Sequence, residues 1–269
     1  MDWVAMAAPW LKWEAEIEAA HGVMLDGLME RAALQAGEAV LDIGCGSGGA
    51  TLRVLDAVGA DGRVLAIDIA PPMTERAAAR LNGRAAVGLG DAQQYAFQAG
   101  GFDAVISQFG LMFFADTGAA FANIRRAVRP GGRFDFVAWG APVRNDWFAM
   151  PRRIATERLG PGEPPDPLAP GPFAFADAAR VTGLLKAAGW QAEVETVALD
   201  MLPRGTPQEL AGMQMDMGAA AMVLRERGGT EADRAVIADG VRDGFAAMER
   251  DGQVHVPAEV HYFSAVSPA

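Results

Sequence analysis

The run Ala39-Val-Leu-Asp-Ile-Gly-Cys-Gly-Ser-Gly-Gly-Ala-Thr51 constrains this chain more than any other stretch. Apolar residues and one acid lead straight into a glycine cluster, and a helical pattern follows. Val40, Leu41 and Ile43 predict a short, buried, parallel strand. Gly44, Gly46 and Gly48 or Gly49 let the backbone turn sharply and come close to a ligand, because without a Cβ they accept positive φ. The helix predicted over about 47–58 opens at that turn, with unpaired N–H groups at its start. Three or four glycines are more than a strand-to-helix turn needs.

Two kinds of ligand compete for the loop. Gly44, Gly46 and Gly49 satisfy the G-x-G-x-x-G fingerprint that sets a dinucleotide pyrophosphate on a helix N-terminus. Asp42 opposes that reading, since a carboxylate two residues before the first glycine repels a pyrophosphate. The same carboxylate suits a ligand that carries positive charge.

Composition narrows the classes. The chain has 269 residues, enough for one large α/β domain with additions. Apolar residues make up 51%, yet no apolar run approaches the roughly 18 residues of a membrane span. The start, Met1-Asp-Trp-Val4, has neither the basic stretch nor the cleavage site of a signal peptide, so a cytoplasmic location is expected. A net charge of −11 opposes nucleic acid as a partner. The single Cys45 excludes an intramolecular disulfide and a cysteine-built metal site. No metal-ligand spacing stands out, and no metal is expected.

Downstream, the pattern alternates between strand and helix. Residues 2–35 read as one helix with Trp10, Trp13 and Ile17 at helical spacing, able to pack on the core or to lie over the glycine loop as a lid. A second strand, Arg63–Asp68, ends in an acid, and Pro71-Pro72 starts a helix with Met73 inward and Arg76 and Arg80 on a solvated face. A third strand over 85–89 ends in Gly90-Asp91-Ala92-Gln93. A fourth, 101–107, runs into Gln108-Phe-Gly-Leu-Met-Phe-Phe-Ala-Asp116, with Asp116 capping the next helix. Pro130-Gly131-Gly132 precedes a fifth strand, Arg133–Trp139. Helices are predicted near 147–159, 177–188, 207–224 and 231–250, and strands at 190–202 and 258–266. Leu210, Met213, Met217 and Leu224 form one stripe of the 207–224 helix, with Met215 and Met222 opposite, so that helix is expected to be apolar on two sides.

Leu41-Asp-Ile-Gly-Cys-Gly-Ser-Gly48, the acid of Asp68, the pair Asp91-Ala92 and Pro-Gly-Gly before the fifth strand together resemble class I S-adenosylmethionine-dependent methyltransferases. The resemblance is nearest to the ubiquinone and menaquinone C-methyltransferase group, and covers about 39–139. It implies an α/β fold: a seven-stranded, Rossmann-like, doubly wound sheet with an antiparallel last strand, here with helical cap insertions. The expected division is a lid (1–35), a cofactor-binding core (36–140), a cap segment (141–175), a core helix and strand (176–202), a helical cap insertion (203–255) and a last strand (256–269).

The resemblance also implies roles. Gly44, Gly46 and Gly48 line the methionine part of S-adenosylmethionine, with Asp42 and Cys45 beside them. Asp68 holds the ribose, with Ile69 and Met73 near it. Asp91, Ala92 and Gln93 meet the adenine, Gln108 and Phe109 lie near the sulfur, and Trp13 closes over the site. For a small, partly apolar methyl acceptor, Met112, Phe113, Trp147, Met215 and Met222 are the candidate walls. His255, His21 and Tyr262 are candidates for a base, if the acceptor must lose a proton. A non-catalytic cofactor-binding protein and an NAD(P)-dependent oxidoreductase are the alternatives. A monomer or homodimer without nucleic acid or membrane span is expected.

Overall fold

The computed structural model describes residues 3–162 and 166–268. Residues 1–2, 163–165 and 269, which belong to the expected lid, first cap segment and last strand, lie outside it. In chain order the elements are α1 (Trp3–Lys12), α2 (Glu14–Ala32), β1 (Ala39–Ile43), α3 (Gly49–Val58), β2 (Arg63–Asp68), α4 (Pro71–Leu81), β3 (Ala86–Leu89), β4 (Phe102–Gln108), α5 (Thr117–Ala127) and β5 (Val128–Trp139). There follow α6 (Asp146–Leu159), α7 (Ala178–Ala187), β6 (Gln191–Met201), α8 (Pro207–Met217), α9 (Ala219–Glu226), α10 (Glu231–Ala246), β7 (Glu249–Arg250), β8 (Gln253–Val254) and β9 (Val256–Val266).

The seven-stranded sheet has the order β3-β2-β1-β4-β5-β9-β6. All its strands are parallel except β9, which runs antiparallel to β5 and β6. β1 is buried along its whole length, as its apolar run requires. The winding direction reverses between β1 and β4, and the crevice beyond their carboxyl ends is where such sheets place ligands. Behind the sheet, Phe121, Phe134, Phe136, Phe175 and Phe263 form a fully buried ring cluster. Each contributes about 1.5–3 kcal/mol through burial.

Four expectations about elements are corrected. The single helix over 2–35 breaks at Trp13 (φ −108°, ψ 21°), which leaves α1 and α2 as separate rods. The helix over 207–224 breaks at Gly218, whose extended backbone (φ −84°, ψ −172°) cannot continue a helix. Met215 and Met222 therefore sit on different helices, and the two-sided stripe does not form. The helix expected to reach 250 stops at Ala246, and Glu249–Val254 folds into a hairpin through Asp251 (φ 51°) and Gly252 (φ 77°). Asp-Gly with both φ positive is the preferred two-residue hairpin turn. Finally, β5 begins at Val128, with Pro130-Gly131-Gly132 as a bulge: the partners step from Phe102 with Val128 to Ala104 with Arg133.

The helices α6, α8, α9 and α10 pack on one another as a cap whose core is continuous with that of the sheet. There Trp147 packs on Phe245 at 5.9 Å, and Gln214 Nε2 donates to Trp147 O at 3.0 Å. Leu210, Met213, Met215, Ile237 and Val241 are buried around them.

Candidate active site

The glycine loop follows β1 with Gly44, Gly46 and Gly48 at φ 69°, 54° and 90°. Its N–H groups are turned inward. Gly44 N and Cys45 N both donate to Ile67 O (2.9 and 3.0 Å), and Gly48 N to Cys45 O (2.9 Å). Gly46 N donates to Asp68 Oδ2 (2.9 Å). Four of the loop's donors are thus engaged within the protein, and two carboxylates stand beside them. Cys45 is buried, and burial, then the charges of Asp42 and Asp68, push its thiol up and keep it protonated.

Asp42 is 1% exposed. Its Oδ2 accepts from Thr51 Oγ1 at 2.6 Å, while its Oδ1 has no hydrogen-bond partner. Burial, with a contribution from the charge of Asp68, pushes its carboxyl up to about 7. Asp68 at the end of β2 accepts from Gly46 N and, through Oδ1, from Ala70 N (2.9 Å). Burial raises its carboxyl too, against those hydrogen bonds. Asp68 thus holds the loop as well as offering lone pairs to a ligand. Beside it, Ile69 is 53% exposed while Met73 is buried.

At the end of β3, both carboxylate oxygens of Asp91 accept from Gln93 Nε2 (3.0 and 2.8 Å), and Gln93 Oε1 accepts from Asp116 N (2.7 Å). Gln93 therefore orients Asp91 and ties it to the start of α5. Ala92 is buried, and its carbonyl accepts from Asn123 Nδ2.

Beyond β4 the chain turns through Phe109, a non-glycine residue at φ 58°. Such strain gathers at functional sites. Phe109 stacks on Trp139 at the end of β5 (4.3 Å, 8°). His21 of α2 meets both rings (5.0 and 5.6 Å), and Trp139 leads to Phe148 (5.1 Å) and Phe148 to Phe173 (5.0 Å). In contrast to the sealed cluster behind the sheet, His21, Phe109, Phe148 and Phe173 are half-buried. Burial pushes His21 down to about 4, so it is neutral at ordinary pH. Gln108 Nε2 donates to His21 O (3.1 Å), which fixes α2 over the end of β4.

The remaining candidates fall elsewhere. Trp13 turns toward the cap: its Nε1 donates to Asp216 Oδ2 (3.0 Å), which Lys12 also reaches (2.6 Å), and Arg234 meets Oδ1 (3.3 Å). It is instead α1, through Trp3, Ala7, Trp10 and Leu11, that packs on Ala70 and Met73. Trp3 meets Phe113 edge-on at 4.6 Å. Met112 is buried, with its carbonyl accepting from Gly171 N. Trp147 and Met215 belong to the buried core of the cap, and Met222 is half-buried. Tyr262 lies under Arg31 with its hydroxyl donating to Met24 O (3.1 Å). His255 Nδ1 faces Asp200 (3.4 Å), away from the loop's partners. Among the described residues, no group of three or more His, Cys, Asp or Glu could hold a metal ion, and no helix is long and apolar enough to cross a membrane.

The sequence pattern missed Trp139, Phe148, Phe173 and Thr51, which only the fold brings to the site. It also put Arg80 on a solvated face. Instead Arg80 is paired with Glu14 and Glu18. The signal was present: two acids and two arginines, each pair spaced by four residues on a helix.

Residues 40–132 match the family described as "Methyltransferase domain". The chain is 34% identical over 163 residues to nocamycin O-methyltransferase of Saccharothrix syringae, covering 56% of this chain and 58% of that protein. It is 33% identical over 117 residues to demethylmenaquinone methyltransferase of Lactococcus lactis, covering 42% and 46%. The chain thus spans about half the length of the curated relatives it matches. The fold is similar to that of Haemonchus contortus phosphoethanolamine N-methyltransferase 2 in complex with S-adenosyl-L-methionine (TM-score 0.54, 18% identity, 91% of this chain and 52% of that one). Residues 40–132 thus match a methyltransferase domain, and the fold of the sheet around them is similar to that of the neighbour in complex with S-adenosyl-L-methionine.

Proposed function

We propose that this class I methyltransferase domain transfers a methyl group from S-adenosylmethionine to a small, partly apolar organic acceptor. The observation that carries the reading is the glycine loop. Two carboxylates stand at it: Asp42 keeps a buried, unpartnered oxygen, and Asp68 adds a second acid that accepts from Gly46 N. Such a site favours a cationic ligand over a dinucleotide pyrophosphate. The relatives' names, an O-methyltransferase and a quinone-precursor methyltransferase, support a small organic acceptor.

When bound, S-adenosylmethionine supplies a methyl activated by a sulfonium. The protein then has to hold the acceptor's nucleophile in line and keep water out. The half-buried rings of Phe109, Phe148 and Phe173 offer an apolar face for the acceptor, and α1 serves as the lid over Ala70 and Met73. His21 is the chain's candidate partner for an acceptor hydroxyl. Its neutral imidazole can accept a hydrogen bond at any pH above about 5, and the same burial makes it a poor proton acceptor.

At a hundredfold excess over Kd, S-adenosylhomocysteine should stabilise the fold by about 2.7 kcal/mol. NADH should leave the melting curve in place. Transfer of label from methyl-labelled cofactor to phenolic, enolic or amine acceptors tests the reaction itself. A melting curve indifferent to both S-adenosylmethionine and its product would sink the reading, and binding without label transfer would leave a cofactor-binding protein. Phe148→Leu and Phe173→Leu should change turnover between acceptors, while affinity for S-adenosylhomocysteine stays within about twofold, well under 1 kcal/mol. Unaltered turnover in both would move the acceptor away from this wall.

A further inference from the structure

Arg80 stands on α4, and its guanidinium joins three elements. Nη1 donates to Ser47 O (3.2 Å) and Ser47 Oγ (3.1 Å) in the glycine loop. It also reaches Glu14 Oε1 (3.2 Å) and Glu18 Oε1 (2.5 Å) on α2, and Nη2 donates to Glu18 Oε2 (3.1 Å). Arg76, one turn earlier, pairs with Glu14 (2.7 Å). The loop and α2 are so close that a Cβ on Gly49 would lie 2.5 Å from Glu18 Oε1. The loop is thereby held from two sides, by Asp68 at Gly46 N and by Arg80 at Ser47.

We propose that Arg80 is the positioning residue of the cofactor loop, and that Glu14 and Glu18 neutralise it so that a sulfonium can bind beside it. The inference rests on the cofactor reading above. The planar guanidinium draws the Ser47 carbonyl and hydroxyl to one side and so fixes the orientation of the peptides on which the ligand lies. Left alone, its positive charge would oppose a cationic ligand, because charges near a partly buried site interact at an effective dielectric of about 20 rather than 80. Two arginines and two glutamates sum to no formal charge, which leaves the field of Asp42 and Asp68 unopposed. On this account α2 is part of the cofactor site although it precedes the first strand.

S-adenosylmethionine and S-adenosylhomocysteine differ by a methyl group and the positive charge on sulfur, so the ratio of their Kd values reads the field at the sulfur. A purely structural role would not move that ratio. Glu18→Gln removes one neutralising charge with little change of shape. It should weaken S-adenosylmethionine at least about threefold more than S-adenosylhomocysteine. Arg80→Gln should weaken both ligands about tenfold by freeing Ser47, and shift the ratio toward S-adenosylmethionine. Arg80→Lys, which keeps the charge and loses the fork, should restore the ratio without restoring the affinity. The readout is calorimetry on the full chain, with a melting curve for each variant. A ratio unmoved in Glu18→Gln overturns the electrostatic role, and Arg80→Gln binding both ligands like the native chain overturns the positioning role. If the native chain binds neither ligand, it is the cofactor reading that falls.

Discussion

Gly44→Ala should cost the fold at least about 3 kcal/mol, from steric overlap and an unfavourable φ together. Gly46→Ala should instead cost mainly the ligand. The two glycines stand two residues apart in one loop, both at positive φ, yet their surroundings differ. A Cβ on Gly44 would lie 2.8 Å from Gly110 Cα, and Gly110 is equally constrained, since a Cβ there would lie 2.9 Å from Gly44 Cα and from Ile43 O. Both contacts are with backbone, so no side chain can swing aside. A Cβ on Gly46 meets nothing within 4 Å. Its only intrinsic penalty is the left-handed backbone, about 1–2 kcal/mol. That open space lies on the face assigned to the cofactor, and a methyl there should lower affinity for S-adenosylhomocysteine at least about thirtyfold, near 2 kcal/mol. Thermal unfolding and calorimetry separate the two effects. Equal stability losses in the two variants, with Gly46→Ala still binding normally, would mean that the ligand does not approach Gly46.

The close approach of Gly44 and Gly110 also shows what the sequence could reveal and what it could not. The strand, glycine cluster and strand-end acids Asp68 and Asp91 were legible because each is a local pattern, repeated in the order a doubly wound sheet requires. The sheet order and antiparallel β9 accord with the resemblance those patterns carried. Features that depend on two distant segments were not legible. Gly110 reads as one glycine in a loop until it is seen against Gly44. Asp216 reads as a surface acid of α8 until Lys12, Trp13 and Arg234 are seen around it. The helix breaks at Trp13 and Gly218 escaped notice because hydrophobic spacing runs through them: periodicity records which face is apolar, not whether the backbone is continuous. The cap misled for the same reason. Met215 and Trp147 are as apolar as pocket walls would be, but both are buried in the core, Trp147 against Phe245 of α10.

Cofactor binding should release a proton near neutral pH, and affinity should fall about tenfold from pH 8 to pH 6, which is about 1.4 kcal/mol. The source is Asp42. Its carboxyl is held up at about 7 because it is buried and lies near the charge of Asp68, with only Thr51 donating to it. A cationic ligand on the adjacent loop favours the carboxylate, so below pH 7 it must first displace a proton. The sign for the unliganded fold is opposite to the usual carboxylate case. The folded value lies above the unfolded one, so Asp42 stabilises the fold relatively at low pH, and that contribution is lost as pH rises from about 4 through about 7. His21 opposes it: its folded value is depressed to about 4, so its contribution is present above about 6.5 and lost as pH falls toward 4. The ligand-linked proton therefore isolates Asp42 better than a stability curve does. Calorimetry of S-adenosylmethionine binding at pH 7 in buffers of different ionisation enthalpy counts the protons released. Asp42→Asn supplies the control, with the same shape and no charge. It should raise the melting temperature of the unliganded protein at pH 8, weaken S-adenosylmethionine, and abolish both the proton release and the pH dependence of affinity between 6 and 8. Binding that releases no proton in the native chain, or an Asp42→Asn variant that keeps the native pH dependence, would remove Asp42 as the group that senses the ligand's charge.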